Sequence, residues 1–158
     1  MSQNRQVRST DPADYQRVPR AVVAMPKDFT PGFEIAPHSH KRAQLIYATA
    51  GTMRIATDEG VWIVPPQRAL WMPAGVRHGI VMLGEVTMRT LYLWPDAAAF
   101  MPGTCHVVPV SPLLRELILA ACEEPVMWDE AGPVPTPSGR TSAAIRPLGP
   151  GPKRTSTV

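Results

Sequence analysis

The chain is poor in cysteine, in long apolar runs and in apolar residues near its start. Its 158 residues include only two cysteines, Cys105 and Cys122, which form no Cys-x-x-Cys pair. A disulfide framework is therefore not expected, and two buried free thiols are the simplest interpretation. The sequence has no run of about 18 apolar residues, which excludes a membrane-spanning helix. Residues 1–20 lack the apolar core of a signal peptide, so we expect a cytoplasmic protein.

Several catalytic signatures are also missing, among them a glycine-rich phosphate loop, a nucleophile elbow and paired carboxylates near the histidines. The net charge is only +3, from 16 basic and 13 acidic residues. Residues 1–20 sum to +2 (four minus two) and residues 131–158 to +4 (four minus none), whereas residues 21–130 sum to −3 (eight minus eleven). Because the basic excess belongs to the ends, a specific DNA-binding surface on the core is not expected.

What the chain does contain is a series of short apolar segments separated by turn residues. Asp58-Glu59-Gly60 and Gly84-Glu85 are typical of hairpin turns, and Pro65-Pro66 must border a strand because proline cannot donate to a ladder. Many short strands at this spacing predict a mainly β domain, either a sandwich or a barrel. The predicted strands cover residues 21–25, 33–40, 43–50, 52–57, 61–64, 69–72, 79–83, 86–94 and 105–108.

A single helix is predicted after the β-domain, with Ser111 as its N-cap and Pro112 at the first helical position. Its apolar residues fall on one stripe, so the helix either packs on the β-domain or pairs with a second subunit. The candidate dimer residues on that stripe are Leu113, Leu114, Leu117 and Ile118.

Composition divides the chain into four parts. We expect a flexible leader over residues 1–20, a β-domain over 21–110, a packing or dimerisation helix over 111–124, and a disordered tail over 125–158. The last 28 residues hold six prolines, four glycines and seven serines or threonines, with almost no apolar periodicity. Such a segment buries too little apolar surface to fold by itself.

The strongest functional signal is a set of histidines at fixed spacing. His38-x-His40 in an extended strand puts two imidazoles on one face, and Gln44 shares their parity four residues later. His78 follows Pro73-x-Gly75 and would arrive from another strand. Three imidazoles and an amide oxygen at one point suit a first-row transition metal, here one divalent ion of zinc, nickel, copper or iron.

The pattern Gly32-x5-His38-x-His40-x3-Gln44-x6-Gly51 resembles the first motif of the cupins, and Pro73-x-Gly75-x2-His78 resembles the core of the second. The resemblance implies a cupin-type, jelly-roll-like β-barrel followed by one α-helix, with disordered termini. In metal-binding cupins the motifs supply His, His, Glu and His, so the implied ligands here are His38, His40, Gln44 and His78. The chain departs from the motifs at Gln67, at Met82 and at Gln44 itself.

The surrounding residues narrow the resemblance. The run Val64-Pro-Pro-Gln-Arg-Ala-Leu-Trp-Met-Pro-Ala-Gly-Val-Arg-His78 and the helix after Ser111 are similar to the effector-sensing and dimerisation domain of AraC-type transcriptional regulators. That family implies a small-molecule or metal effector and a homodimer, or a heterodimer with a related regulator. Such regulators carry a helix-turn-helix part, which residues 124–158 do not provide. We therefore expect no specific DNA binding by this chain alone, and a truncated or frame-shifted descendant is one hypothesis.

Gln44 decides between the alternatives. A neutral amide leaves the charge of a divalent ion uncompensated, which weakens the interpretation as an enzyme. A ligand- or metal-sensing domain is the leading hypothesis. The alternatives are a small metal-dependent dioxygenase or isomerase, and a non-catalytic dimerising remnant that inhibits an intact regulator. In a metal-free version the histidines would hydrogen-bond an organic effector directly. Side chains with the right parity or an aromatic surface, expected to line the pocket, are Ile46, Trp71 and Met82.

Overall fold

The computed structural model describes residues 9–128, 140 and 141. Seven antiparallel strands form one sheet in the order β1-β6-β3-β5-β7, with β2 added to β6 and β4 added to β3. The sheet curls around a buried cluster to which β1, β3, β4, β5 and β6 all contribute. The strands are β1 (Val22–Phe29), β2 (Glu34–His38), β3 (Ala43–Thr57), β4 (Gly60–Val64), β5 (Arg68–Met72), β6 (His78–Leu93) and β7 (His106–Pro109).

The two central strands are longer than predicted. The sequence predicts a break at Gly51 and a hairpin at Gly84-Glu85, but β3 and β6 each run through without ending. Their pairing shifts register near Ala50 instead, so each strand bends at an irregularity. Gly51 has φ +81°, and a Cβ there would lie 2.0 Å from the carbonyl oxygen of Glu85. Only glycine therefore permits this close approach of the two strands. The other predicted hairpin, at Asp58-Glu59, is confirmed because Thr57 pairs with Gly60.

The predicted helix is α1 (Pro112–Glu123), and the Ser111 hydroxyl caps it by accepting a 3.1 Å hydrogen bond from the amide of Leu114. The helix packs against β1 and β6. Leu114 and Ile118 are 1% and 0% exposed within the chain itself. Both are therefore unavailable to a second subunit, contrary to their prediction as dimer residues, because the i, i+4 pair points at the barrel. Leu113 is 66% exposed and Leu117 is half-buried.

The leader also differs from its prediction in the part that the structure describes. A 3-10 turn spans Pro12–Tyr15, and Tyr15 is buried against Tyr92 with ring centroids 6.1 Å apart. The buried guanidinium of Arg42 donates to the carbonyl oxygens of Val18 and Arg20, the latter at 2.8 Å. Residues 9–20 are thus held against the barrel by the Tyr15 ring and by backbone carbonyls that accept from Arg42. The polar composition of the segment does not reveal these contacts.

The remaining predictions about the chain's ends lie mostly outside the described residues. The structure does not describe residues 1–8, 129–139 and 142–158, so disorder in these parts of the leader and tail stays a prediction. Trp128 lies within the predicted tail, and its indole donates a 3.0 Å hydrogen bond to the carbonyl oxygen of Val22, so the first residues of that tail are held against β1. Cys105 and Cys122 are both buried, as expected. No helix in the described part of the chain has the length and apolar character needed to cross a membrane.

Candidate metal centre

The three predicted histidines meet at one end of the barrel. His38 ends β2 and pairs directly with His78 at the start of β6. His40 lies just beyond β2, where its carbonyl oxygen accepts a 2.9 Å hydrogen bond from the amide of Gly75. One ring nitrogen from each of the three histidines lies within 4.8 Å of the others. Strand pairing and this loop contact therefore create the cluster that the spacing predicts.

Backbone carbonyls fix the orientation of two of these rings. The Nδ1 atoms of His38 and His78 lie 2.8 and 2.9 Å from the carbonyl oxygens of Ala36 and Val76. A carbonyl only accepts hydrogen bonds, so both Nδ1 atoms carry the proton and both Nε2 atoms present a lone pair. The His38 and His40 Nε2 atoms are 2.9 Å apart. His40 must then donate from its Nε2, and a cation at this point would replace that proton. Such outer hydrogen bonds are typical of metal-ligating histidines.

Burial keeps two of the imidazoles neutral. It lowers the pKa of His40 from 6.5 to about 4, with further contributions from His38 and His78. Burial likewise lowers the pKa of His78 to about 4, opposed by the hydrogen bond to Val76 and assisted by His38. At neutral pH both rings are therefore uncharged, which is the state that binds a metal or accepts a hydrogen bond.

Gln44 lies on β3 in the same cavity and is 3% exposed. Its Nε2 donates to the Thr90 hydroxyl at 2.9 Å and to the Tyr92 hydroxyl at 3.4 Å. Among the described residues, neither its Oε1 nor the Nε2 of His78 has a hydrogen-bond partner, although both atoms are buried. Unpartnered buried acceptors are costly, so two of them in one cavity indicate a missing binding partner. The donor set of three imidazole nitrogens and one amide oxygen fits a divalent transition metal.

A cavity of about 390 Å³ opens beside this site. One end is polar, with His38, His78 and Gln44, and the walls are largely apolar. Pro12 from the N-terminal segment, Lys27 and Glu34 also line it. The other lining residues are Met25, Phe29, Phe33, Ile35, Ala36, Ile80, Met88 and Tyr92.

None of the three predicted pocket residues lines this cavity. Ile46 and Met82 face the barrel interior, as their parity indicates, but they lie in its packed core. Trp71 pairs with Leu45 on the opposite face of the sheet, and its indole donates to the carbonyl oxygen of Pro102 at 3.0 Å. The sequence does contain a pattern that fits the observed lining, since Met25, Lys27 and Phe29 occupy every second position of β1 and so share one face. Which alternating face encloses space depends on how the barrel closes, and that does not follow from periodicity.

Comparison with known proteins agrees with the resemblance. The profile of the AraC-like ligand binding domain matches residues 28–134. The chain belongs to that family. It is therefore a ligand-sensing cupin domain related to AraC-type regulators. It is 40% identical over 82 residues to the HTH-type transcriptional regulator NimR of Escherichia coli (strain K12). That match covers 52% of this chain and 30% of NimR, so the chain spans less than a third of that relative.

Solved structures of cupin proteins also match part of the chain, at low similarity. A cupin superfamily protein from Desulfitobacterium hafniense is 20% identical, with a TM-score of 0.42 over 46% of this chain and 76% of that one. An RmlC-like cupin from Shewanella frigidimarina is also 20% identical, with a TM-score of 0.44 over 47% and 67%. The fold of this family member is a cupin-type β-barrel followed by one helix, as predicted.

Proposed function

We propose that this domain senses a small effector that binds in the cavity beside a divalent transition metal. His38, His40, His78 and Gln44 would hold the ion, which would act as a Lewis acid toward one heteroatom of the effector. The observation that carries the proposal is a pair of buried atoms in one cavity, Gln44 Oε1 and His78 Nε2, to which no residue in the described part of the chain donates a hydrogen bond.

The cavity defines the kind of molecule that fits. Met25, Phe29 and Met88 give walls that favour an apolar or aromatic body, and about 390 Å³ is the size of a small-molecule site. Lys27 adds one cationic side chain to this otherwise largely apolar wall. A compact apolar molecule with one polar head directed at the histidines is therefore the proposed effector class.

We further propose that the domain is cytoplasmic and that binding serves the regulation of transcription, which is the role that the name of NimR states for that protein. A second copy of the domain, or a related regulator, would dimerise through the outer side of α1. Leu113 supports this because it is exposed, next to the half-buried Leu117, on a helix whose other side is already covered by the barrel.

A ligand-observed NMR screen tests effector binding directly. Fragments with an apolar ring and one polar head should show saturation transfer from the zinc-supplemented protein. The matched variant Met88→Trp adds bulk inside the cavity without touching a ligand residue, and it should abolish the transfer while the protein stays folded. Equal transfer from both proteins would place the fragments outside this cavity and contradict the proposal.

A further inference from the structure

The side-chain amide of Gln44 has two ends that differ completely in chemistry, and its neighbours determine which end faces which way. The torsion that turns this amide is broad and roughly two-fold, so it has little intrinsic preference. The Nε2 end donates hydrogen bonds, whereas only the carbonyl oxygen can accept one or bind a cation. A cation site at Gln44 therefore needs something that holds the amide in one orientation.

Thr90 supplies that constraint. Its hydroxyl donates a 3.0 Å hydrogen bond to the carbonyl oxygen of Leu45, which uses its single proton. The hydroxyl oxygen can then only accept, and the Gln44 Nε2 atom lies 2.9 Å from it. In the reverse orientation the amide oxygen would face a lone pair at that distance. Thr90, Gln44 and Leu45 are 0%, 3% and 1% exposed, so water cannot substitute for any of these partners.

We propose that Thr90 is a positioning residue, which turns the amide of Gln44 so that its carbonyl oxygen is left free for the histidine site. The inference rests on the proposed function, because the oxygen acquires a role only when the site binds a cation or a donor group. It also explains the departure from glutamate: Gln44 and Thr90 are a matched donor and acceptor. A carboxylate at position 44 would compete with Leu45 for the proton of Thr90.

Cobalt binding to the full chain tests this positioning role. Thr90→Val keeps the shape of the side chain but removes the hydrogen-bond acceptor. We expect the cobalt affinity to fall about tenfold, which is the smallest loss typical of substituting a residue that hydrogen-bonds a metal ligand. The visible absorption bands of the bound cobalt should change with it. Thr90→Ser, which keeps the hydroxyl, should restore both. Thr87→Val, the same substitution on the same strand at a half-buried position that gives Gln44 no hydrogen bond, is the matched control and should bind like the wild type.

A measurement on the metal-free protein separates this inference from the proposed function. In wild-type protein labelled with ¹⁵N, the side-chain NH₂ of Gln44 should show nuclear Overhauser contacts to the Thr90 side chain, and Thr90→Val should weaken them and speed proton exchange. Unchanged cobalt affinity and spectrum in Thr90→Val would overturn the inference, as would the absence of these contacts. If the wild type bound no cobalt but kept the contacts, the orientation would stand and the proposed metal site would fall.

Discussion

The two faces of the sheet at β3 differ in what they bury. Ala43, Leu45 and Tyr47 point outward into a cluster under α1 that consists of apolar and weakly polar side chains. Gln44 points inward, toward a cavity whose end contains unpartnered polar atoms. Consecutive residues of one strand thus serve opposite purposes, because side chains alternate between faces. The outer face only stabilises the domain, whereas the inner face carries both a packed core and, beside it, binding groups that stay available at a cost to stability.

This division has a thermodynamic consequence. The outer cluster is packed in the free protein, whereas no described residue hydrogen-bonds Gln44 Oε1 or His78 Nε2 at the inner site. A ligand that binds only the folded state raises its stability by mass action. Metal or effector should therefore stabilise the domain through the inner face alone, and the two faces can be disturbed separately.

The largest expected effect comes from the outer face. Ile118→Ala removes a fully buried side chain between α1 and the sheet, so unfolding should become easier by about 2–5 kcal/mol. Urea denaturation measures this change. The folded variant should still bind cobalt with wild-type affinity, since none of its lost contacts belongs to the histidine site. A parallel loss of cobalt affinity would show that the two faces are not separable.

Acid should act on the inner face. The pKa values of His40 and His78 are about 4 in the folded protein and 6.5 unperturbed, so the unfolded chain binds more protons between these values. The contribution of these two rings to the free energy of unfolding of the metal-free protein should therefore fall as pH drops from about 6.5 to about 4 and level off below that. Urea titrations across this range measure it, and His78→Ala should have a shallower slope. Identical slopes would contradict the assignment.

Gln44→Glu sharpens the comparison between the two faces, because it places a negative charge on the inner face at a position that is neutral in the wild type. A carboxylate beside a divalent ion should raise zinc affinity by about tenfold, or roughly 1.4 kcal/mol, after its desolvation is subtracted. The metal-free variant should be less stable than the wild type, because the buried charge then lacks a partner. Calorimetric zinc titrations and urea denaturation give the two numbers. Weaker zinc binding would mean that the amide oxygen is not a ligand.

The smallest effect on stability is expected at the helix surface. Leu113→Glu changes an exposed side chain, so the free energy of unfolding should stay within about 0.5 kcal/mol of the wild type. If α1 forms the proposed dimer interface, size-exclusion chromatography should show a dimer for the wild type and a monomer for this variant. A wild-type monomer, or a dimer that persists in Leu113→Glu, would remove the proposal.

Local chemistry made part of this molecule predictable. The spacing of His38, His40 and His78 identified residues that the fold brings together, and Ser111-Pro112 marked the first turn of α1. These features depend on period-two alternation and on capping, which neighbouring residues determine.

The features that were missed depend on distant contacts. The continuation of β3 through Gly51 and of β6 through Gly84 does not follow from local sequence, because a bend between the paired strands replaces the expected turn. Residues 9–20 become ordered through Arg42, which is remote in sequence. The wall of the cavity depends on which strand faces the closed barrel brings opposite each other. Sequence alone therefore does not show that Trp71 lies on the outer face of the sheet or that Phe29 lines the cavity.

The zinc content of the purified full chain, measured after dialysis against excess zinc and then against metal-free buffer, tests the central claim most directly. The account predicts one zinc ion per wild-type chain and a loss of nearly all of it in His78→Ala, whose far-ultraviolet circular dichroism should match the wild type. Equal zinc content in the two folded proteins, or no retained zinc in the wild type, would contradict a metal centre formed by His38, His40, Gln44 and His78.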